Sequence, residues 1–282
     1  MRLHKRPQGP LVLLAAAAVL AVVAALAPSS ARANEIGINF EGAPGAVGGA
    51  LAATDGAGAV PQTNFNNIAG TAGTSAALVD NTGATTAATV TYGGYNTGGT
   101  TNKSGDYQAY STTAQPNADQ QFLNGELNIE DAGNGIQATV NNIPYSTYNV
   151  YAYVSLGTGR LGNVALYAAP QVSNTTLGTP EAGPIFYKTL SPTSAPYYVR
   201  STATAYNSTT NPEATYVEFT GISGSSFSLL NLNHAGGGGS EVGLAGIQIV
   251  DASNGAIPEP ATLGIFALGA VALLARRRRR LA

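Results

Sequence analysis

The chain has 282 residues, a formal net charge of −2, no cysteine, no tryptophan and only 10% charged side chains. That small net charge hides an uneven distribution, because nine of the 13 Lys and Arg lie before residue 34 or after residue 275. Residues 34–256 carry four cations against fourteen acids, a net of −10. An acidic body excludes nucleic acid and anionic lipid surfaces as partners, since both need a basic footprint, and the lack of cysteine excludes a disulfide-stapled scaffold.

Taken in order, the chain begins with a leader. Arg2, Lys5 and Arg6 precede an apolar run over 11–27, and Ala31 and Ala33 flank Arg32 in the small-x-small pattern that signal peptidase accepts. Residues 1–33 therefore read as a secretory signal peptide, with a mature start at Asn34, and are set aside from fold reasoning. Residues 34–255 are enough for one large all-β domain. Low charge, 14 tyrosines and recurring Val, Ile and Leu argue against disorder there.

Period-two alternation recurs through this body. Residues 85–92 place Ala88, Val90 and Tyr92 on one face, and residues 148–156 place Tyr148, Val150, Ala152 and Val154 opposite Asn149, Tyr151, Tyr153 and Ser155. Further strands are expected over 36–40, 136–140, 163–167, 185–190, 216–220, 226–232 and 244–250, each bounded by Gly, Pro, Asn or Ser. Only 119–129 suggests a helical turn or two. Short strands at this spacing, without a sustained helical period, predict an antiparallel β-sandwich.

Several local patterns bear on chemistry. Gly157, Gly159 and Gly162 spell G-x-G-x-x-G after an expected strand, with Glu181 downstream. Residues 163–167 alternate like a strand, however, so the helix that would hold a pyrophosphate is missing and a β-hairpin loop is the expected structure. His234 precedes a run of glycines without a nucleophile motif beside it. Glu126 and Glu130, with Asp131 next, would share a face on either a helix or a strand, as a glycosidase needs, although solvated surface acids are the plainer expectation. Asp80, Asn81, Asp106 and Asp251 are the loop oxygens available to a structural calcium ion. Tyr92, Tyr95, Tyr107 and Tyr110 cluster in one Gly- and Thr-rich region, which suits a carbohydrate-binding surface as well as sandwich packing.

The tail has three parts. Pro258, Glu259 and Pro260 form a stiff segment that cannot be helix interior or central strand. Residues 261–275 are uniformly apolar, and Arg276, Arg277, Arg278, Arg279 and Arg280 close the run, as in a membrane segment whose end stays in the cytoplasm. At ~1.5 Å per residue, fifteen residues span about 22 Å of a core near 30 Å, so the segment suits a temporary anchor better than a permanent one.

This order of Pro-Glu-Pro, apolar helix and arginine cluster resembles the PEP-CTERM sorting signal of exported bacterial proteins. The resemblance covers 256–282 and implies recognition by an exosortase-type membrane transpeptidase. It also implies cleavage near Pro258-Glu259-Pro260, transient inner-membrane anchoring, and delivery to the surface, outer envelope or medium. A second resemblance covers most of the body. Ile38-Asn39-Phe40, 58–67, 77–83, Phe122-Leu123-Asn124-Gly125, 148–153, Phe219-Thr220-Gly221 and 246–250 follow one another as in jelly-roll, galactose-binding-like sandwiches of secreted bacterial proteins. Phe65 stands where a tryptophan is common, which weakens the case for a sugar-stacking platform. Together these readings predict a non-catalytic cell-surface or extracellular-matrix protein associated with exopolysaccharide or biofilm. A lectin-like carbohydrate-binding module and a secreted glycoside hydrolase are the alternatives.

Overall fold

The structure is a computed structural model that describes residues 34–41, 49–96, 106–109, 115–130, 134–155, 159–172, 176–190, 197–207, 209–234 and 241–253. The leader, the Pro-Glu-Pro segment, the apolar run 261–275 and Arg276 to Arg280 lie outside these residues. No helix among the described residues is long and apolar enough to cross a membrane.

Two sheets pack face to face. The first is built on β15 (Glu241–Asp251), which runs beside β8 (Thr147–Ser155) on one edge. On its other edge β15 pairs first with β6 (Gly125–Glu130) and then with β1 (Glu35–Phe40). Outward from these lie β13 (Tyr216–Ser223), β11 (Arg200–Ser201), β2 (Asn66–Ile68) and β5 (Asp106–Ala109). The second sheet has the order β12–β10–β9–β14–β7–β4–β3. Its members are β12 (Glu213–Ala214), β10 (Ala182–Thr189), β9 (Leu161–Tyr167), β14 (Phe227–Asn233), β7 (Gly135–Asn141), β4 (Thr89–Tyr95) and β3 (Gly73–Thr74).

Within these sheets the order β6–β15–β8–β13 faces the order β7–β14–β9–β10, the two interleaved Greek keys of a jelly-roll. The ladders are antiparallel except for three short ones, β1–β2, β10–β12 and β11–β13, which are parallel. These are strands of two or three residues added by loops at the margins, where no tight hairpin fixes direction.

Alternation decides what each strand buries. Val150, Ala152 and Val154 of β8 meet Ile36, Ile38, Ile247, Ile249 and Leu244 of the same sheet and Ile136, Val140, Val164 and Leu229 of the other. Each Val, Ile or Leu among them contributes about 1.5–3 kcal/mol on burial. A bulge at Ala245 shifts the phase of β15 midway, opposite the point where β6 gives way to β1. The outer face of this sheet is covered too, by Leu51, Phe65, Phe122 and Leu123 packed on Tyr153 and Ala245.

Phe122 and Leu123 come from α1 (Ala118–Asn124), the one helix among the described residues. Its first turn is capped by Asn117, whose side chain accepts from Gln120 N at 2.9 Å. The expected helical stretch thus ends five residues early: Gly125 turns the chain extended, and 125–130 is strand. A Cβ at Gly125 would come within 2.5 Å of the Glu41 backbone, so only glycine lets β6 start beside the end of β1.

Two other expectations need correction. β8 and β9 belong to different sheets and so do not form the expected hairpin, and residues 157–158 lie outside the described residues. Gly159 does adopt positive φ, +91°. Residues 85–88 are not strand either, since Thr86 donates from both N and Oγ1 to Leu78 O, and its Oγ1 accepts from Ala88 N. A side chain that bonds its own backbone diverts it from the ladder, and β4 starts at Thr89.

Candidate functional site

Of the tyrosines expected to bind ligand, Tyr92 and Tyr95 do not share a surface. Tyr92 is buried, its ring 5.6 Å from Phe40 and its hydroxyl donating to Ala69 O at 2.8 Å. Tyr95, on the same strand β4, is buried on the outer side of the second sheet with Tyr167 and Leu230. Burial raises the pKa of both. Tyr107 belongs to β5, and Tyr110 lies outside the described residues.

Tyr92 also lines a cleft of about 360 Å³ between the sheet margins β2 and β3. Its asparagines are already committed as struts. Asn66 Nδ2 donates to Gly37 O and Val79 O, both at 2.8 Å, while Asn67 Oδ1 accepts from Leu51 N at 3.0 Å and from Asn39 Nδ2 at 2.8 Å. The cleft is a braced seam, with its best polar groups spent on the fold.

The metal reading fares similarly. Asp80, Asp251 and Glu35 all act electrostatically on Tyr145, so two of the proposed calcium ligands lie around one ring. Asp80 Oδ1, however, accepts from Thr82 N, Thr82 Oγ1 and Ala84 N, which closes a turn; burial acts to raise its pKa, and the three bonds together outweigh it and hold the pKa down. Asp251 Oδ1 likewise accepts from Ser253 N at 2.9 Å. Among the described residues no three acidic or histidine side chains are placed to hold a metal ion.

Glu126 departs furthest from expectation. It is not a solvated acid: it is 0% exposed, and neither carboxylate oxygen finds a hydrogen-bond partner among the described residues. Alternation with the core residues Leu127 and Ile129 puts Glu126 and Asn128, also 0% exposed, on the covered outer face of the first sheet. Burial drives the Glu126 pKa well above the ordinary carboxylate range, Glu241 adds to the rise and Arg160 opposes it. Arg160 itself pairs with Glu241 at 3.2 Å. Glu126 is therefore a neutral acid within the fold. Glu130 sits four residues on in the same strand, opposite Glu241.

His234 leaves the β14 end to stack on Tyr206, with ring centroids 4.6 Å apart and planes at 22°, and it meets Phe186 edge-on at 5.4 Å. Burial lowers its pKa. This is an aromatic sandwich around a neutral imidazole.

A second tyrosine group is assembled where the sequence reading placed no site. Cross-strand pairing sets Tyr216 against Tyr153 and Glu218 against Tyr151, while β11 places Arg200 against Tyr216. Tyr151 and Tyr216 are half-buried, with centroids 6.0 Å apart and planes at 34°. Beneath them Tyr153 is fully buried, its hydroxyl donating to Gln248 Oε1 and accepting from Ala59 N at 2.8 Å. Tyr198 packs on Tyr153 at 5.6 Å, donates to Asp119 Oδ1 at 2.7 Å and accepts from Gly58 N at 2.7 Å. Arg200 and Glu218 form an ion pair of 2.5 Å. Burial first, and then Glu218, raise the pKa of both Tyr151 and Tyr216, so their hydroxyls stay neutral. The signal was in the alternation of Tyr151 with Tyr153, but its partner Tyr216 lies more than sixty residues away and only the pairing joins them.

The fold and its termini thus define a class: a cysteine-free jelly-roll body followed by a C-terminal segment of Pro-Glu-Pro, apolar run and arginines. The family model of the PEP-CTERM protein-sorting motif matches residues 256–280. That motif implies an exported protein that is processed by exosortase and sorted to the cell surface. Comparison with curated proteins gives no match. Among solved structures, the K2 cleaved adhesin domain of Lys-gingipain is similar at 9% identity and a TM-score of 0.28, over 56% of this chain and 89% of that one.

Proposed function

We propose that this is a non-catalytic protein of the cell surface or extracellular matrix, held briefly in the inner membrane by its tail and then released or transferred by an exosortase-type transpeptidase. In this reading the body works within an exopolysaccharide or biofilm matrix. The observation that carries it is the sorting-motif match over 256–280, which begins just beyond the end of β15 and takes in Pro258, Glu259, Pro260 and the arginines. The body supports a structural role: Glu126, the acid whose raised pKa would suit proton donation, is shut away from solvent, and the polar groups of the marginal cleft are used internally.

The test is intact mass of the protein recovered from its host, wild type against a Pro258→Ala, Glu259→Ala double variant. Processing predicts a wild-type mass without leader or tail and a variant that keeps its tail in the membrane fraction. An intact C-terminus in both strains would overturn the reading.

A further inference from the structure

We propose that the outer face of β8 and β13 binds a neutral polysaccharide strand, with Tyr151 and Tyr216 as the stacking platform and Arg200, held by Glu218, as the donor to its hydroxyls. The inference rests on the matrix reading above for the source of the polymer, and on the structure for the site.

A pyranose ring presents an apolar face of C–H groups and a rim of hydroxyls, so its receptor needs a flat aromatic surface bordered by fixed donors and acceptors. The pairing supplies this. Tyr216 lies directly across from Arg200 and Tyr151 from Glu218, so rings and polar groups alternate over adjacent strands. Strands lie about 4.8 Å apart, and two rings on neighbouring strands together offer an area matched to one sugar unit.

The platform is rigid before any ligand arrives. Tyr216 leans on Tyr153 at 5.9 Å, and Tyr153 is itself held by hydrogen bonds from two distant segments, so binding need not freeze these rings. Glu218, only 12% exposed and also hydrogen-bonded to Tyr151, fixes both the guanidinium and the Tyr151 ring, and the ion pair leaves further guanidinium N–H groups for a ligand. Arg200 keeps 42% of its side chain exposed for that purpose. β11 and β13 end the sheet on this side, so a polymer can run on past the edge.

Charge selects the polymer. Arg200 and Glu218 cancel locally, and the body carries −10, which repels polyuronates and sulfated glycans.

The experiment is affinity electrophoresis of the full chain, purified in mild detergent, through gels containing a β-glucan, a galactan, a mannan or a polyuronate. We expect retardation by at least one neutral polymer, weakened at least tenfold in Tyr151→Ala and in Tyr216→Ala and unchanged in Tyr206→Ala on the other aromatic group. Tyr151→Phe, which keeps the ring, should retain binding and so separates platform loss from misfolding. Because the chain has no tryptophan, tyrosine fluorescence reports the same titration directly. Retardation by none of the neutral polymers, retardation by the polyuronate alone, or binding indifferent to both tyrosines would overturn the proposal. Tail processing is not read in this assay, so its failure and the failure of sorting are seen separately.

Discussion

Replacing Glu126 with glutamine should change how stability depends on pH more than it changes the fold. The side chain is completely buried and held neutral, first by burial and then by Glu241. In the unfolded chain it titrates near 4.3. Above that pH the unfolded state has released a proton that the folded state retains, so stability falls as pH rises, and continues to fall until the folded pKa is reached. Between the unfolded and the folded pKa the slope approaches about 1.4 kcal/mol per pH unit, the effect of the one proton retained. Even one such unit is a noticeable share of the 5–15 kcal/mol typical of a domain. Glutamine has a similar shape and no proton to lose. Urea unfolding of wild type and Glu126→Gln at half-unit pH steps isolates the effect in the difference between the two, because other acids cancel. Wild type should weaken relative to the variant as pH rises. Parallel curves would refute the assignment of a neutral buried acid.

Two further substitutions test the packing. Gly246→Ala would bring a Cβ to 2.4 Å from Ile38 O and 2.5 Å from the Phe122 ring, so a loss at or above the ~3 kcal/mol upper end of ordinary overpacking is expected by thermal denaturation, whereas Gly56→Ala, with open space around it, should stay within ~0.5 kcal/mol. Tyr187→Phe removes the donor to Asn231 Oδ1 at 2.7 Å inside the core, and leaving that carbonyl unmatched should cost about 1–3 kcal/mol in the urea midpoint; a variant as stable as wild type would show that the bond contributes nothing net.

The sequence revealed those strands whose burial alternates over five or more residues, such as β8 and β13, because each carries its own periodic signal. It did not reveal β2, β3, β11 or β12, which are two or three residues long and form by pairing with an existing margin. The same limit explains Glu126. Its neighbours along the chain announce an amphipathic strand with one wet face, whereas the fold leaves Glu126 and Asn128 0% exposed, which no local window shows. Tyr92 and Tyr95 misled for the complementary reason: proximity in sequence gathered residues that β4 then delivered to different packing groups. Tyr151 and Tyr216 meet through a ladder whose register no local window contains.

The clamped position of β15 has a mechanical consequence. The last strand of the body lies inside its sheet, joined to β8 through eight register pairs and to β6 and β1 on the other side. A pull on the chain beyond Asp251, with the opposing load held on β8, acts along the strand axis. It therefore strains the whole ladder in shear, and its bonds must break together; a marginal terminal strand would instead peel one bond at a time. Resistance to such a load is set by the rate of unfolding. A body drawn tight between its tail and whatever grips its outer face would hold as a single fastening.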